Sequence, residues 1–293
     1  MKLSYLKYIL PSISFLLFTS CIKDGEVSCP EYTIVVGVED KNYSNILEIS
    51  DLTPLAEDLP MLDYIANLSL WWHGIGTDMG RSRSLSIPSQ KPLCEIESGF
   101  FPYGSYDVMP VGNMVLAEHE YQSGKMIIEL HPEHSEGEDI YIARQTIDIP
   151  LTANIEMWLA RTKGRLIMKF ADFPQETVRI NAVVSGIYAT IDSDGNYDAS
   201  TRAEKSFVPG FPDYNGYYGM LLAPADATKN AILTLVLYNA SGGIIDVIHN
   251  IPIQIERNKL TLIQPVYDPE TNEWTVLLYI NGNWEAIHNL EIN

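Results

Sequence analysis

The chain has 293 residues, 46% of them hydrophobic, and carries a formal charge of −19 at pH 7, from 38 Asp and Glu against 19 Lys and Arg. That much apolar material fills one large or two ordinary domains and excludes a disordered chain. The acidic surface repels phosphate, so nucleic acid and anionic headgroups are excluded as partners, because both need clustered cations to displace counterions.

In chain order, Lys2 and Lys7 precede a short apolar stretch over residues 8–19, broken by Pro11, and then Leu17, Phe18, Thr19, Ser20 and Cys21. A run this short does not cross a bilayer, which takes about 20 helical residues. Residues 1–20 therefore read as a removed signal. The five residues ending at Cys21 resemble a bacterial lipobox, in which the cysteine thiol receives a lipid. The expectation is an outer-membrane lipoprotein, lipid-anchored at Cys21, surface-exposed, with a mature charge of about −21. Polar residues 21–30 form a tether. Lys23, Asp24, Gly25 and Glu26 in it resemble the signal that sends such lipoproteins to the outer face. Cys29 and Cys94 are the remaining thiols. Outside the cytoplasm such a pair suits a disulfide, although two free thiols remain open.

Strand-like runs follow at 32–38, 66–72, 106–111, 125–130, 140–149, 165–170, 178–188, 231–238, 244–255, 260–266 and 274–280. They are rich in Ile, Val, Tyr and Leu and are separated by Gly, Pro, Asn and Asp. Short strands at this spacing predict an all-β chain of sandwiches. The best helical candidate, residues 52–64, is limited by Pro54 and Pro60. A change of pattern near residues 150–154 predicts two β-sandwich domains, 31–152 and 153–293.

Enzymatic templates fail. His119 and Glu120 lack a second histidine at zinc-protease spacing, and neither a Gly-x-Ser-x-Gly elbow nor a phosphate loop occurs. No catalytic residue, cofactor or small-molecule substrate is expected. His131, Glu133 and His134, beside Pro132, read as a solvated loop before a metal clip. Asp192, Asp194, Asn196 and Asp198 alternate like the start of a calcium loop. Gly195 falls at the fourth position and Ala203 at the twelfth, so a turn is the reading and no metal is expected. Of the five tryptophans, Trp71 and Trp72 are adjacent and point to opposite faces of a strand. A half-buried strand places only one of them in a core.

Four segments, in order, carry a resemblance to the FimB-like minor fimbrial subunits of the Bacteroidota, a family of fimbrial anchor lipoproteins. They are the lipobox and tether from Cys21 to Cys29 and Pro30, the strand containing Trp71 and Trp72, the Phe101, Pro102, Tyr103 and Gly104 element entering a long strand, and the stretch from Leu159 to Leu166. Residues 46–60 have no counterpart. The resemblance implies two transthyretin-like Greek-key β-sandwich domains in tandem, and a lipoprotein that anchors or initiates a fimbria by binding its structural or accessory subunits. A fimbrial tip adhesin or glycan-binding surface lipoprotein is the alternative. It also implies that shaft subunits mature by cleavage after an N-terminal Arg. Between Cys21 and Gly80 this chain has Lys23 and Lys41 but no arginine, which favours the anchor.

Overall fold

The computed structural model describes residues 32–76, 80–96, 101–116, 120–121, 125–149, 154–226, 229–280 and 282–287. Cys21 and Cys29 lie outside them, as does His119. Among them the chain is all-β, with only three short 3-10 turns, at Ile46–Glu48, Met61–Asp63 and Pro132–His134. The helical expectation for 52–64 fails except for that second turn. Pro54 and Pro60 remove backbone donors and fix the preceding residues as extended.

The first half comprises β1 (Thr33–Val38), β2 (Leu68–Gly74), β3 (Gly80–Leu85), β4 (Cys94–Ile96), β5 (Gly104–Gly112), β6 (Glu120–Tyr121), β7 (Ile127–Glu129), β8 (Tyr141–Ile142), β9 (Gln145–Ile149) and β10 (Asn154–Arg161). All but β7 join one sheet in the order β4-β1-β10-β8-β5-β2-β3-β6, with β9 on β5. Its two arms face each other across a core containing Ile34 and Val36 from β1, Leu68 and Leu70 from β2, and Met157 and Leu159 from β10. The opposite face is also covered, by a second cluster that includes Trp71, Met109, Ile128, Leu130 and Ile191. Trp71 is therefore buried on one side while Trp72 packs on the other, edge-on to Phe101. The sheet is covered on both faces, so the one-tryptophan expectation does not hold.

The second half comprises β11 (Gly164–Met168), β12 (Arg179–Asp192), β13 (Tyr197–Phe207), β14 (Tyr218–Leu222), β15 (Ala231–Tyr238), β16 (Ile244–Ile253), β17 (Leu260–Asp268), β18 (Glu273–Ile280) and β19 (Asn283–Ala286). Sheets β14-β11-β17-β18-β19 and β13-β12-β15-β16 enclose a large apolar cluster, and β7 of the first half joins β12. In β15, residues alternate buried and part-buried along the strand, the period of a strand covered on one face.

The halves repeat one pattern. β1 lies between antiparallel β4 and parallel β10, and β11 lies between antiparallel β14 and parallel β17. Residues 154–161 thus belong to the first sheet, with Ile155, Met157 and Leu159 opposite Ile34, Val36 and Val38. The passage from the first sheet to the sheets of the second half falls at Thr162 and Lys163, one strand beyond the change of pattern near residues 150–154. A break in local pattern does not reveal which sheet the next strand joins. Residues 43–52 strap back across the second half, where Tyr43, Ile46, Ile49 and Leu52 pack on Ile167, Tyr217 and Leu262.

Candidate functional site

Strand edges are the first place where a β-protein can hold another chain, because their outward N–H and C=O groups await partners. The β14 edge is closed. Its alternate N–H groups each donate to a side chain: Gly219 to Asp213 Oδ1 at 2.8 Å, Leu221 to Glu136 Oε2 at 3.0 Å and Ala223, just beyond the strand, to His131 Nε2 at 2.9 Å. Lys205 Nζ donates to Gly219 O at 2.7 Å. The β13 edge carries Asp198, Arg202, Glu204 and Lys205, charges that oppose pairing. By contrast β16 is ten residues long with one formal charge, Asp246, and exposes Ile244. Of its backbone N–H groups one, Val247, donates to a side chain, Asp246 Oδ1. Pro252 and two irregularities in the pairing with β15 are its main protections.

His131 departs from the solvated-loop reading. Its ring is buried, Nδ1 is 2.9 Å from Ser135 O, and Nε2 accepts from Ala223 N–H. That assigns the neutral tautomer with the proton on Nδ1. Burial, with Lys163 nearby, pulls its pKa down to about 4. His134, in contrast, is exposed.

The second place is the seam where β10 passes into β11. Arg161, Thr162 and Lys163 are all buried there. Arg161 donates through Nε to Asp139 Oδ2 at 3.0 Å, through Nη1 to Asn258 Oδ1 at 2.7 Å and through Nη2 to Tyr141 Oη. Its guanidinium lies 4.1 Å over the Tyr43 ring. Asp40 accepts from Arg161 N–H at 2.7 Å and from Asn258 Nδ2 at 2.7 Å, tying three distant segments together. Lys163 Nζ donates to Leu130 O and Glu136 O, both at 2.6 Å, and burial lowers its pKa to about 8. Buried cations with this many partners hold the two halves in one register, since removing any one partner leaves an unpaired charge in the interior.

Beside the seam lies a cavity of about 250 Å³, ringed by Tyr43, Tyr64, Tyr141 and Tyr214 and floored by Arg161 and Arg165. Arg165 Nε donates to Tyr43 Oη at 3.0 Å, and its guanidinium lies 4.3 Å from the Tyr214 ring centre. Burial pushes the Tyr43 hydroxyl up to about 12, so it stays a neutral partner. The sequence pattern held one signal for this site. Three cations, Arg161, Lys163 and Arg165, fall within five residues of an acidic chain, beside a run whose alternation demands burial.

Of the sequence-derived candidates, Cys94 is buried in the first core, its Sγ 3.6 Å from Ser86 O, while its proposed disulfide partner lies outside the described residues. Asp192, Asp194 and Asn196 form a hairpin turn between β12 and β13. Asp192 Oδ1 accepts the N–H groups of Asp194 and Asn196, both at 2.9 Å, and Gly195 takes φ +83°. Asp194 is held at 2.5 Å by both Lys125 and Arg144. Among the described residues no group of three His, Cys, Asp or Glu could hold a metal ion. Trp274 is buried, whereas Trp158 and Trp284 are exposed and Trp284 stands edge-on to Tyr279.

No family model matches the chain, and no curated protein does. Among solved structures, a candidate adhesin from Bacteroides thetaiotaomicron aligns with a TM-score of 0.53 at 12% identity, over 89% of this chain and 99% of that one. A candidate adhesin from Bacteroides ovatus gives 0.51 at 8%, over 89% and 96%. The fimbrial anchor protein Mfa2 from Porphyromonas gingivalis gives 0.48 at 13%, over 87% and 99%. Across most of its length, the chain therefore shares the fold of the two Bacteroides candidate adhesins.

Proposed function

We propose that this chain is a non-enzymatic lipoprotein of the cell surface, held in the outer membrane through lipidated Cys21, which anchors or initiates a fimbria by binding fimbrial subunits. Its halves are then two transthyretin-like Greek-key sandwiches in tandem. The observation that carries the reading is the position of β1. This strand follows the tether and pairs through six residues with β10 and three with β4, while Ile34, Val36 and Val38 are buried. Load applied through a lipid at Cys21 would pull along β1 and meet both ladders at once. A strand so placed suits a permanent link. The repeated strand pattern of the halves supports the tandem arrangement, and the fold shared with candidate adhesins supports a role in adhesion. β16 is the edge best suited to a subunit's strand, where main-chain hydrogen bonds give affinity and alternating side chains give selectivity.

Arg81 and Arg83 lie in β3. Cleavage after either would remove β1 and β2, so the mature form keeps its N-terminus at Cys21. The deciding experiment shears fimbriae from wild-type and deletion cells. Shedding or lengthening of fimbriae in the deletion supports anchoring, and fimbriae of unchanged length and attachment overturn it. The double substitution Ile244→Lys with Val247→Lys should lower recovery of shaft subunits with the purified protein.

A further inference from the structure

The cavity at the seam has a chemistry that the folded chain does not use. Arg161, on its floor, is committed through each of its three nitrogens, to Asp139, Asn258 and Tyr141. Arg165, its neighbour two strand positions beyond Lys163, makes one hydrogen bond, from Nε to Tyr43, and no carboxylate lies within ion-pair distance among the described residues. Its two terminal nitrogens retain their donors. The other groups around the same cavity include Thr53, Asp63 and Asn215, whose side chains make no hydrogen bond among the described residues, and the Tyr214 hydroxyl, likewise unbonded. The free terminal donors of Arg165, the Asp63 carboxylate and three neutral hydrogen-bonding groups thus line a space of about 250 Å³ between tyrosine rings, which Lys41, Asn42 and the Arg161-paired Asp139 also border.

We propose that this cavity binds a sugar acid, a monosaccharide-sized ring bearing one carboxylate and several hydroxyls. The carboxylate pairs with Arg165, whose two terminal nitrogens are both unpaired among the described residues, whereas Arg161 is already paired with Asp139 and Lys41 donates to the Glu57 carbonyl. A planar guanidinium matches a carboxylate with two parallel hydrogen bonds. Hydroxyls bond to Asp63, Thr53, Asn215 and Tyr214, and the tyrosines supply ring faces for the apolar side of the sugar. Asp63 also sets the direction: it accepts hydrogen bonds from hydroxyls and repels a second carboxylate. A small inorganic anion would use Arg165 and leave the other four groups idle, and a neutral sugar would leave the guanidinium unpaired. The wall donated by residues 43–64 comes from the first half and Arg165 and Tyr214 from the second, so the site exists only in the intact two-part fold. It stands whether or not the chain anchors a fimbria.

The test is titration calorimetry of the purified chain at low salt with sodium glucuronate, sodium galacturonate, glucose and sodium acetate. Binding of a uronate, with glucose and acetate at least about tenfold weaker, is the expected result. Arg165→Gln should weaken uronate binding about tenfold to a hundredfold, the range for losing charge-assisted hydrogen bonds. Arg165→Lys should retain part of it. Should Arg165→Gln fail to fold, Asp63→Asn and Thr53→Val, at the rim, should each weaken the uronate and leave acetate unaffected. Absence of uronate binding overturns the proposal. So does equal binding of acetate and uronate, or a correctly folded Arg165→Gln with wild-type affinity.

Discussion

Acidification tests the lock between the halves. His131 is neutral in the fold, with Nε2 accepting Ala223 N–H and Nδ1 at Ser135 O. Burial and Lys163 hold its pKa at about 4, against an ordinary 6.5. The unfolded chain takes up a proton as pH falls through about 6.5, while the folded chain does not until about 4. Stability from this residue is therefore complete above 6.5, lost progressively between 6.5 and 4, and flat below. Between pH 7 and pH 5 the linkage gives a loss of roughly 2 kcal/mol, at about 1.4 kcal/mol for each pH unit over which only the unfolded chain is protonated. Urea denaturation of wild type and His131→Gln at both pH values measures it. Gln offers a similar donor and acceptor without titrating, so its stability should fall by roughly 2 kcal/mol less than that of wild type. Parallel pH profiles for the two proteins, or a His131 ring that titrates near 6.5 by NMR, would refute the reasoning.

Gly164→Ala should destabilise by about 1–3 kcal/mol or more in the same denaturation assay, because a Cβ there meets Glu256 O at 2.1 Å and backbone on both sides must shift. Leu235→Ala, at a fully buried position of the second core, should cost about 2–5 kcal/mol. Calcium or a chelator should leave the melting temperature unchanged, since Asp194 is already neutralised by Lys125 and Arg144; a calcium-dependent rise of several degrees would contradict this. Cys21→Ala should move the protein from the membrane fraction to the soluble fraction, and undiminished membrane retention would count against lipidation.

Most strands were legible because period-two alternation is a local property. The run at 231–238 coincides with β15, and those at 32–38, 66–72 and 274–280 fall within two residues of β1, β2 and β18. The turn at Asp192 to Asn196 was equally local, since Asp side chains bond the backbone two residues on and Gly accepts positive φ. β13 was missed because it is an edge strand whose sequence is mostly polar, with Ala203 and Phe207 its only buried residues. Residues 46–60 had no counterpart in the family resemblance, and Ile46, Ile49 and Leu52 among them strap across the second half. What gives them a place is a surface on the second half that is more than a hundred residues away in sequence.

Local pattern in the sequence was enough to show that the chain is built of strands and where most of them lie. Tertiary structure alone decided which sheet each strand joins, and with it the seam. Arg161 meets a partner 97 residues away, and Asp40 meets Asn258 across 218. Whether a cation is buried and paired, like Arg161, or left with donors facing a cavity, like Arg165, depends on those distant neighbours, because burial and charge pairing are properties of the assembled interior and not of the strand that carries the residue.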